Sequence, residues 1–259
     1  MGHIRSDAIV RSALAASDDG VPDAVNAARH GVAVKTIRRW RRLYQRRGLP
    51  RGQHHVGPPC PRCEDGAFDP VAYAELFGWY LGDGWIEQHH RGVYVLHVYN
   101  DASYPDLNRR IQELMRLVKP GGRPHTRDRP GCVLTSVAWK HWPCLFPQHG
   151  PGRKHERALV LEPWQEEILA VHPGPFLRGL FHSDGCRVTN RTTRMVAGEP
   201  KQYAYGRWMF VNHSGDIRRW CTEALDRMGV PWRQSNWKTV SVSRREGVQR
   251  LDEVIGPKT

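Results

Sequence analysis

A chain of 259 residues with 39 Lys and Arg against 26 Asp and Glu carries a net charge of +13 and a pI near 9.9, as expected of a protein that meets a polyanion. Ribosomal and membrane-surface proteins share that balance, so charge alone does not choose among them. No apolar run approaches the roughly 18 residues of a membrane span, no signal-peptide core follows Met1, and six cysteines do not read as a secreted disulfide framework. The expectation is a soluble, cytoplasmic protein, nucleoid-associated if bacterial.

Residues 1–52 hold eleven basic and four acidic residues, +7 of the total. Within them Asp23 to Gly48 reads as helix, turn, helix: Ala24, Val25 and Ala28 form an apolar stripe, Gly31 supplies the turn, and Val32, Ile37, Trp40 and Tyr44 continue the core at helical spacing. The second helix turns Val34, Lys35, Thr36, Arg38, Arg39 and Arg42 toward a partner. Gly31-Val32 followed by Thr36-Ile37-Arg38-Arg39-Trp40 resembles the helix-turn-helix of transposase-like and regulatory DNA-binding domains. There the start of the second helix reads base edges and later arginines hold phosphates. A basic surface helix on a small bundle is the plainer alternative.

Gly48 to Pro61 is rich in Gly and Pro and marks a linker. Cys60-Pro61-Arg62-Cys63 follows. Such a turn holds zinc through two thiolates or serves as a redox dithiol, and no βαβ pattern supports the second use. Further zinc ligands are available at His54, His55, His141, Cys144, His149 and His155. Two prolines stiffen the chain around Cys144 and His149, so the expected set is Cys60, Cys63, Cys144 and His149. Two unrelated buried thiols remain the alternative.

Asp69 before Pro70 is an N-cap with proline at the first helical position. It opens an apolar helix ending in Leu76-Phe77-Gly78-Trp79-Tyr80-Leu81-Gly82-Asp83-Gly84. Strands are expected over Val93 to Tyr99 and Cys132 to Trp139, with an amphipathic helix over Tyr104 to Val118 between them. Gly150 to Arg157 is a basic loop in which Arg153 and Lys154 are candidate phosphate contacts, unless the loop is merely solvated. A helix over Glu162 to Val171 leads to Leu177-Arg178-Gly179-Leu180-Phe181-His182-Ser183-Asp184-Gly185. A strand over Tyr203 to Val211 (Arg207 and Met209 on one face), a helix over Asp216 to Met228, a strand over Trp237 to Ser243 and a helix over Glu246 to Ile255 complete the chain.

The two nine-residue segments lie 101 residues apart and share Leu-x-Gly at the start and Asp-Gly at the end. Residues four apart share a helix face, so Gly78 with Gly82, and Gly179 with Ser183, form faces nearly without side chains. Helices meeting there approach closer than the usual 8–10 Å, which brings Asp83 and Asp184 together at one end. Two carboxylates at the negative poles of two helices share a proton or need a cation. A hard divalent ion suits them and suits phosphodiester hydrolysis. One such segment alone would pass for an amphipathic helix with an ordinary Asp-Gly stop.

These paired segments resemble the motifs of the LAGLIDADG homing endonucleases in their single-chain, two-motif form. The second copy is close to the family pattern, and the first departs from it at Leu81. The resemblance spans about residues 69–259. It implies an α+β domain of two αββαββα repeats with pseudo-two-fold symmetry, strands laid on duplex DNA, and a Mg²⁺- or Mn²⁺-dependent cut made at Asp83 and Asp184. Family enzymes place basic side chains beside the metal, and Lys140 and Lys238, near the ends of the corresponding strands, are the candidates; Arg207 is a candidate DNA contact.

The expected organisation is a helix-turn-helix domain in residues 1–50, a linker in 51–68, and repeats in 69–169 and 170–259, acting as a monomer on double-stranded DNA. The expected function is sequence-specific endonuclease. A DNA-binding transcriptional regulator that keeps the fold without cutting is the principal alternative, though such regulators tend to lose a motif acid. An RNA-splicing maturase is a third reading.

Overall fold

The computed structural model describes residues 5–47, 59–67 and 69–259. These fall into two compact units, one up to Arg47 and one from Pro59 onward.

The first unit packs α1 (Asp7–Asp18), α2 (Asp23–Arg29) and α3 (Val34–Arg47) around Val10, Ala13, Leu14, Ala27, Ile37 and Trp40. Gly31 turns the chain between α2 and α3 with φ +60°, a left-handed conformation costly for other residues. Asn26 is buried and donates to the Ala13 carbonyl (2.7 Å) and to Ser17 Oγ (2.9 Å), joining α2 to α1. The apolar stripe read on α2 is corrected here. Ala24, Val25 and Ala28 are exposed, Val25 at 51%, and Asn26 and Ala27 face the core instead. Tyr44 is likewise exposed, and Val34 packs partly against the core rather than outward.

In the second unit the order helix, strand, strand, helix, strand, strand occurs twice. The first copy is α4 (Pro70–Leu81), β1 (Gly84–His89), β2 (Val93–Asp101), α5 (Pro105–Val118), β3 (His125–Arg129) and β4 (Cys132–Trp139). Short α6 (Trp142–Leu145) and α7 (Pro163–Val171) lead to the second copy. That copy is α8 (Pro173–Asp184), β5 (Gly185–Val196), β6 (Glu199–Val211), α9 (Gly215–Arg227), β7 (Arg233–Asn236), β8 (Thr239–Val242) and α10 (Arg245–Ile255). Both antiparallel sheets have the same spatial order, β1-β2-β4-β3 and β5-β6-β8-β7. This is the expected pair of αββαββα repeats, and the fold is α+β.

The Asp69 side chain accepts from the Ala72 amide (2.9 Å) and Pro70 occupies the first turn of α4. Every residue of α4 from Ala72 to Leu81 is buried, the burial of a central helix rather than an amphipathic one. It lies against α8 with backbone on backbone. A Cβ on Gly78 would stand 2.5 Å from the Phe176 carbonyl oxygen, and one on Gly179 would stand 2.1 Å from that of Glu75. Glu75, fully buried, is held by Arg110 (2.8 Å) from α5 and Arg178 (3.4 Å) from α8, so its charge is compensated from both repeats.

Each sheet lays one face on these helices through Leu96, Val98 and Val137 in the first repeat and Trp208, Phe210, Val240 and Val242 in the second. The β5–β6 pair runs on for twelve matched residues, whereas β8 covers only Trp208 to Val211. The rest is an exposed two-stranded ribbon carrying Arg191, Arg194, Lys201, Tyr203 and Tyr205. The β1–β2 hairpin has no counterpart of that length, with six matched residues.

Gly179→Ala should destabilise the fold by about 3 kcal/mol, the upper range for overpacking, because the clash is with backbone that cannot rotate away. Ser183→Ala, on the same helix face, should cost less than about 1 kcal/mol, since its hydroxyl bonds only carbonyls of its own helix. Urea unfolding of both variants checks the contrast.

Candidate functional site

The close approach of α4 and α8 continues to their C-terminal ends. A Cβ on Gly82 would meet Ser183 Oγ at 2.1 Å and Asp184 Oδ2 at 3.2 Å. Asp83 follows that glycine and Asp184 ends α8, so the two carboxylates emerge at one place. The next residue turns each chain sharply back into its first strand. A Cβ on Gly84 would lie 2.6 Å from Tyr80 Cα, and one on Gly185 2.7 Å from Phe181 Cα. Both Asp-Gly pairs therefore carry a physical requirement: the aspartate projects from the helix end, and only a glycine lets the strand fold back over it. The aspartates open on a cleft of about 640 Å³ whose wall also includes Lys154, Arg157, Asn212 and His213.

Burial raises both carboxyls, and the charge of Asp184 acts on Asp83 as well. Burial, then the charge of Asp184, pushes the Asp83 carboxyl up to about 6 against the pull of Lys154 and Lys258. Asp184 is raised by burial and held partly down by Asn212, whose Nδ2 donates to Oδ2 at 2.6 Å. Lys154 sits over the end of α4, donating to the carbonyls of Tyr80, Gly82 (3.2 Å) and Gly84 (2.6 Å). Lys258 donates to the Gly185 carbonyl (2.6 Å) at the end of α8. Each repeat thus caps the negative pole of its own motif helix with a lysine. Burial lowers both ammonium groups, Lys154 to about 8, while the aspartates pull them back up.

Of the residues expected from sequence, Asp83, Asp184 and Lys154 come together. Lys154 belongs beside the aspartates rather than on an outlying phosphate loop; its neighbour Arg153 is exposed and faces Glu156 (3.9 Å). Lys140 is corrected. It follows β4, whose last residue Trp139 pairs with Tyr94, while Asp83 lies at the opposite end of that sheet, where Gly84 pairs with Val98. There Lys140 faces Glu64 (3.9 Å). Lys238 stands just before β8, where its carbonyl accepts from the Asn212 amide (3.0 Å), but its ammonium lies over the Trp237 ring at 5.7 Å. Lys258 and Asn212 were not anticipated. The signal for Lys258 is the repeat itself: Lys154 stands 71 residues after Asp83 and Lys258 74 after Asp184.

Arg207 donates to Ser235 Oγ (2.7 Å) and Ser241 Oγ (3.0 Å) on its sheet face. In the first unit Lys35, Thr36, Arg38, Arg39 and Arg42 lie along one side of α3. Arg38 is tied to Asp23 (3.0 Å), as is Arg41 (2.8 Å), so both help hold α3 to α2. Cys60, Cys63 and Cys144 come together, but the fourth group is His141 and not His149. His149 turns away, its Nδ1 near the Phe146 carbonyl (3.2 Å) and its ring edge-on to Tyr94. His54 and His55 lie outside the described residues. No described helix is long and apolar enough to cross a membrane.

No protein-family model and no curated protein matches the sequence. Among solved structures, the N-terminal LAGLIDADG domain of WhiA is similar at 14% identity over 73% of this chain and 83% of that one, with a TM-score of 0.46. I-DmoI in complex with DNA and Mn is similar at 12% identity over 73% and 99%, TM-score 0.45. The LAGLIDADG meganuclease I-AabMI bound to uncleaved DNA is similar at 11% identity over 72% and 83%, TM-score 0.45.

An unfolded aspartate releases its proton near 3.8, whereas folded Asp83 keeps it to about 6. The folded state is therefore penalised as pH rises between those values, and the penalty persists above them. Its size is on the order of 3 kcal/mol. In EDTA, Asp83→Asn should accordingly be more stable than the parent at pH 8 and close to it at pH 4, by urea titration at both pH values. An equal difference at the two would contradict the raised carboxyl.

Proposed function

We propose that the chain is a sequence-specific, divalent-metal-dependent DNA endonuclease of the LAGLIDADG homing type. The observation that carries this reading is the convergence of Asp83 and Asp184 at the adjoining ends of two helices packed through glycine. Burial raises both carboxyls, and the charge of Asp184 raises Asp83 further, the situation a bound cation relieves. Hard carboxylate oxygens opening on a cleft suit Mg²⁺ or Mn²⁺. Such an ion, when bound, lowers the pKa of its water and polarises a phosphodiester.

The chain's own groups have definable parts in that reaction. Asp83 and Asp184 would hold the metal and orient the attacking water. Asn212 fixes one oxygen of Asp184. Lys154 and Lys258 remain beside the carboxylates and oppose the negative charge that builds on the phosphate as water adds and a P–O ester bond breaks. Two motifs in one chain supply both aspartates, so a monomer is complete.

DNA recognition rests on two surfaces. The basic β5–β6 ribbon has the shape of the two-stranded elements that enter the major groove. α3, with Lys35, Arg39 and Arg42 on its exposed side, supplies a second reader of helix-turn-helix form. The ribbon's greater length in the second repeat predicts an asymmetric site, with more bases read on that side.

Incubation with a random-site supercoiled plasmid library and Mg²⁺, followed by sequencing of new ends, tests the proposal. Ends at one recurrent sequence are expected, and Asp83→Asn and Asp184→Asn should each lower cutting about a hundredfold or more with little loss of binding, because phosphates elsewhere hold the DNA. Tight specific binding by the parent without ends would instead make the chain a non-cleaving regulator. Replacing Lys35, Arg39 and Arg42 together by Ala should reduce the slope of log affinity against log salt by up to about 2.7. An unchanged slope would remove α3 from the DNA interface.

A further inference from the structure

At the end of the first sheet opposite Asp83, two short turns face one another. Cys60 and Cys63 come from the segment entering the second unit, His141 from the corner after β4 and Cys144 from α6, which follows it. Both pairs have two residues between ligands, the spacing that lets one turn present two donors to one side. Both turns are anchored. The Cys60 amide donates to Glu64 (2.9 Å), and the Glu64 and Gly66 amides return to the Cys60 carbonyl. Arg62 lies over the Trp164 ring at 4.5 Å. In the other turn the Cys144 amide donates to the His141 carbonyl (3.0 Å), and Trp142, fully buried, donates to the Val137 carbonyl (2.9 Å).

Three sulfurs and one imidazole nitrogen lie within 4.8 Å of one another. Cys63 and Cys144 sulfurs are 3.9 Å apart, and His141 Nδ1 is 3.2 Å from Cys63 and 3.9 Å from Cys144. Tetrahedral zinc with ordinary bond lengths separates its ligands by about 3.6–3.8 Å, so the cluster already has the size of that polyhedron. His141 Nε2, on the far side of the ring, faces Glu64 at 3.6 Å, the carboxylate partner that zinc-bound histidines typically have. A dithiol would account for two of the sulfurs and leave the third, the imidazole and Glu64 without a role.

We propose that Cys60, Cys63, His141 and Cys144 bind one Zn²⁺, His141 through Nδ1 with Nε2–H directed at Glu64. Four protein ligands leave no open position, so the site is structural. Binding releases the three thiol protons to solvent. The ion pins the segment that enters the second unit onto the corner leading to Phe146, whose ring packs tilted against Tyr80 of α4 at 4.7 Å. The site is independent of the endonuclease reading, and its test uses no DNA.

Metal analysis of the full chain, purified under reducing conditions without added metal, should find about one zinc per chain. Exchange into Co²⁺ should give the thiolate charge-transfer and intense ligand-field bands of a tetrahedral sulfur-rich site, a readout that needs no variant. Cys63→Ser and His141→Ala should each abolish stoichiometric zinc, Glu64→Gln should weaken it about tenfold, and His149→Ala should leave it unchanged. Metal-free folded protein with freely reactive thiols, a disulfide among these cysteines, a Co²⁺ spectrum without thiolate bands, or full zinc in His141→Ala would overturn the assignment.

Discussion

The second unit is organised by one contact, the backbone-to-backbone packing of α4 on α8. Gly78 and Gly179 leave no room for a methyl group between the helices, and this fixes how the repeats meet. From it follows the burial of ten consecutive residues of α4, since a helix at a seam has no solvent face. From it also follows the position of Glu75, buried where guanidinium groups of both repeats can reach it. A side chain at either glycine would separate the repeats and, with them, the two aspartates.

The same contact creates the electrostatic problem that the site exploits. Two helix C-termini and two carboxylates meet in a half-buried cleft, each unfavourable to the others. The chain answers with a lysine on the end carbonyls of each helix, which offsets the poles without neutralising the carboxylates fully. Burial, and then the charge of Asp184, keep Asp83 raised despite these lysines. A buried pair of carboxylates is intrinsic to the fold and is what a divalent cation would stabilise. The halves are not electrostatically identical: Asn212 bonds Asp184, whereas Asn100, at the corresponding register position of β2, donates to backbone carbonyls of Asp101 and Tyr104.

Much of this arrangement was legible in the residues. The motif helices show themselves because small residues four apart interrupt otherwise large apolar side chains, and Asp69-Pro70 marks where the first begins. β4 is delimited as expected, and helices α5, α7, α9 and α10 begin within about a residue of their expected starts. Four strands escaped notice, and each has little or no buried face: β3 is exposed throughout, β7 nearly so, and β1 and β5 are fully buried only at their first residues, Gly84 and Gly185. Alternation cannot appear where neither face meets a core. β6 begins at Glu199 rather than Tyr203 for the same reason, its first half being ribbon. α1 lies in the part of residues 1–52 that is poor in Lys and Arg, and seven of the eleven basic residues fall in α3, so charge marks α3 and not α1. The side chains that complete each site were harder still. Lys258 has no local motif, and its role depends on a repeat offset. The prolines around Cys144 favoured His149, while the two-residue spacing of His141 from Cys144, matching Cys60 to Cys63, was the better guide.

The central claim is that Asp83 and Asp184 form one metal site. Mn²⁺ binding in the presence of duplex DNA, followed by electron paramagnetic resonance, tests it without requiring knowledge of the target sequence. The account predicts that the parent protein takes up Mn²⁺ and that Asp83→Asn and Asp184→Asn each eliminate the tight component. Undiminished tight binding in both variants would place the metal elsewhere and contradict it.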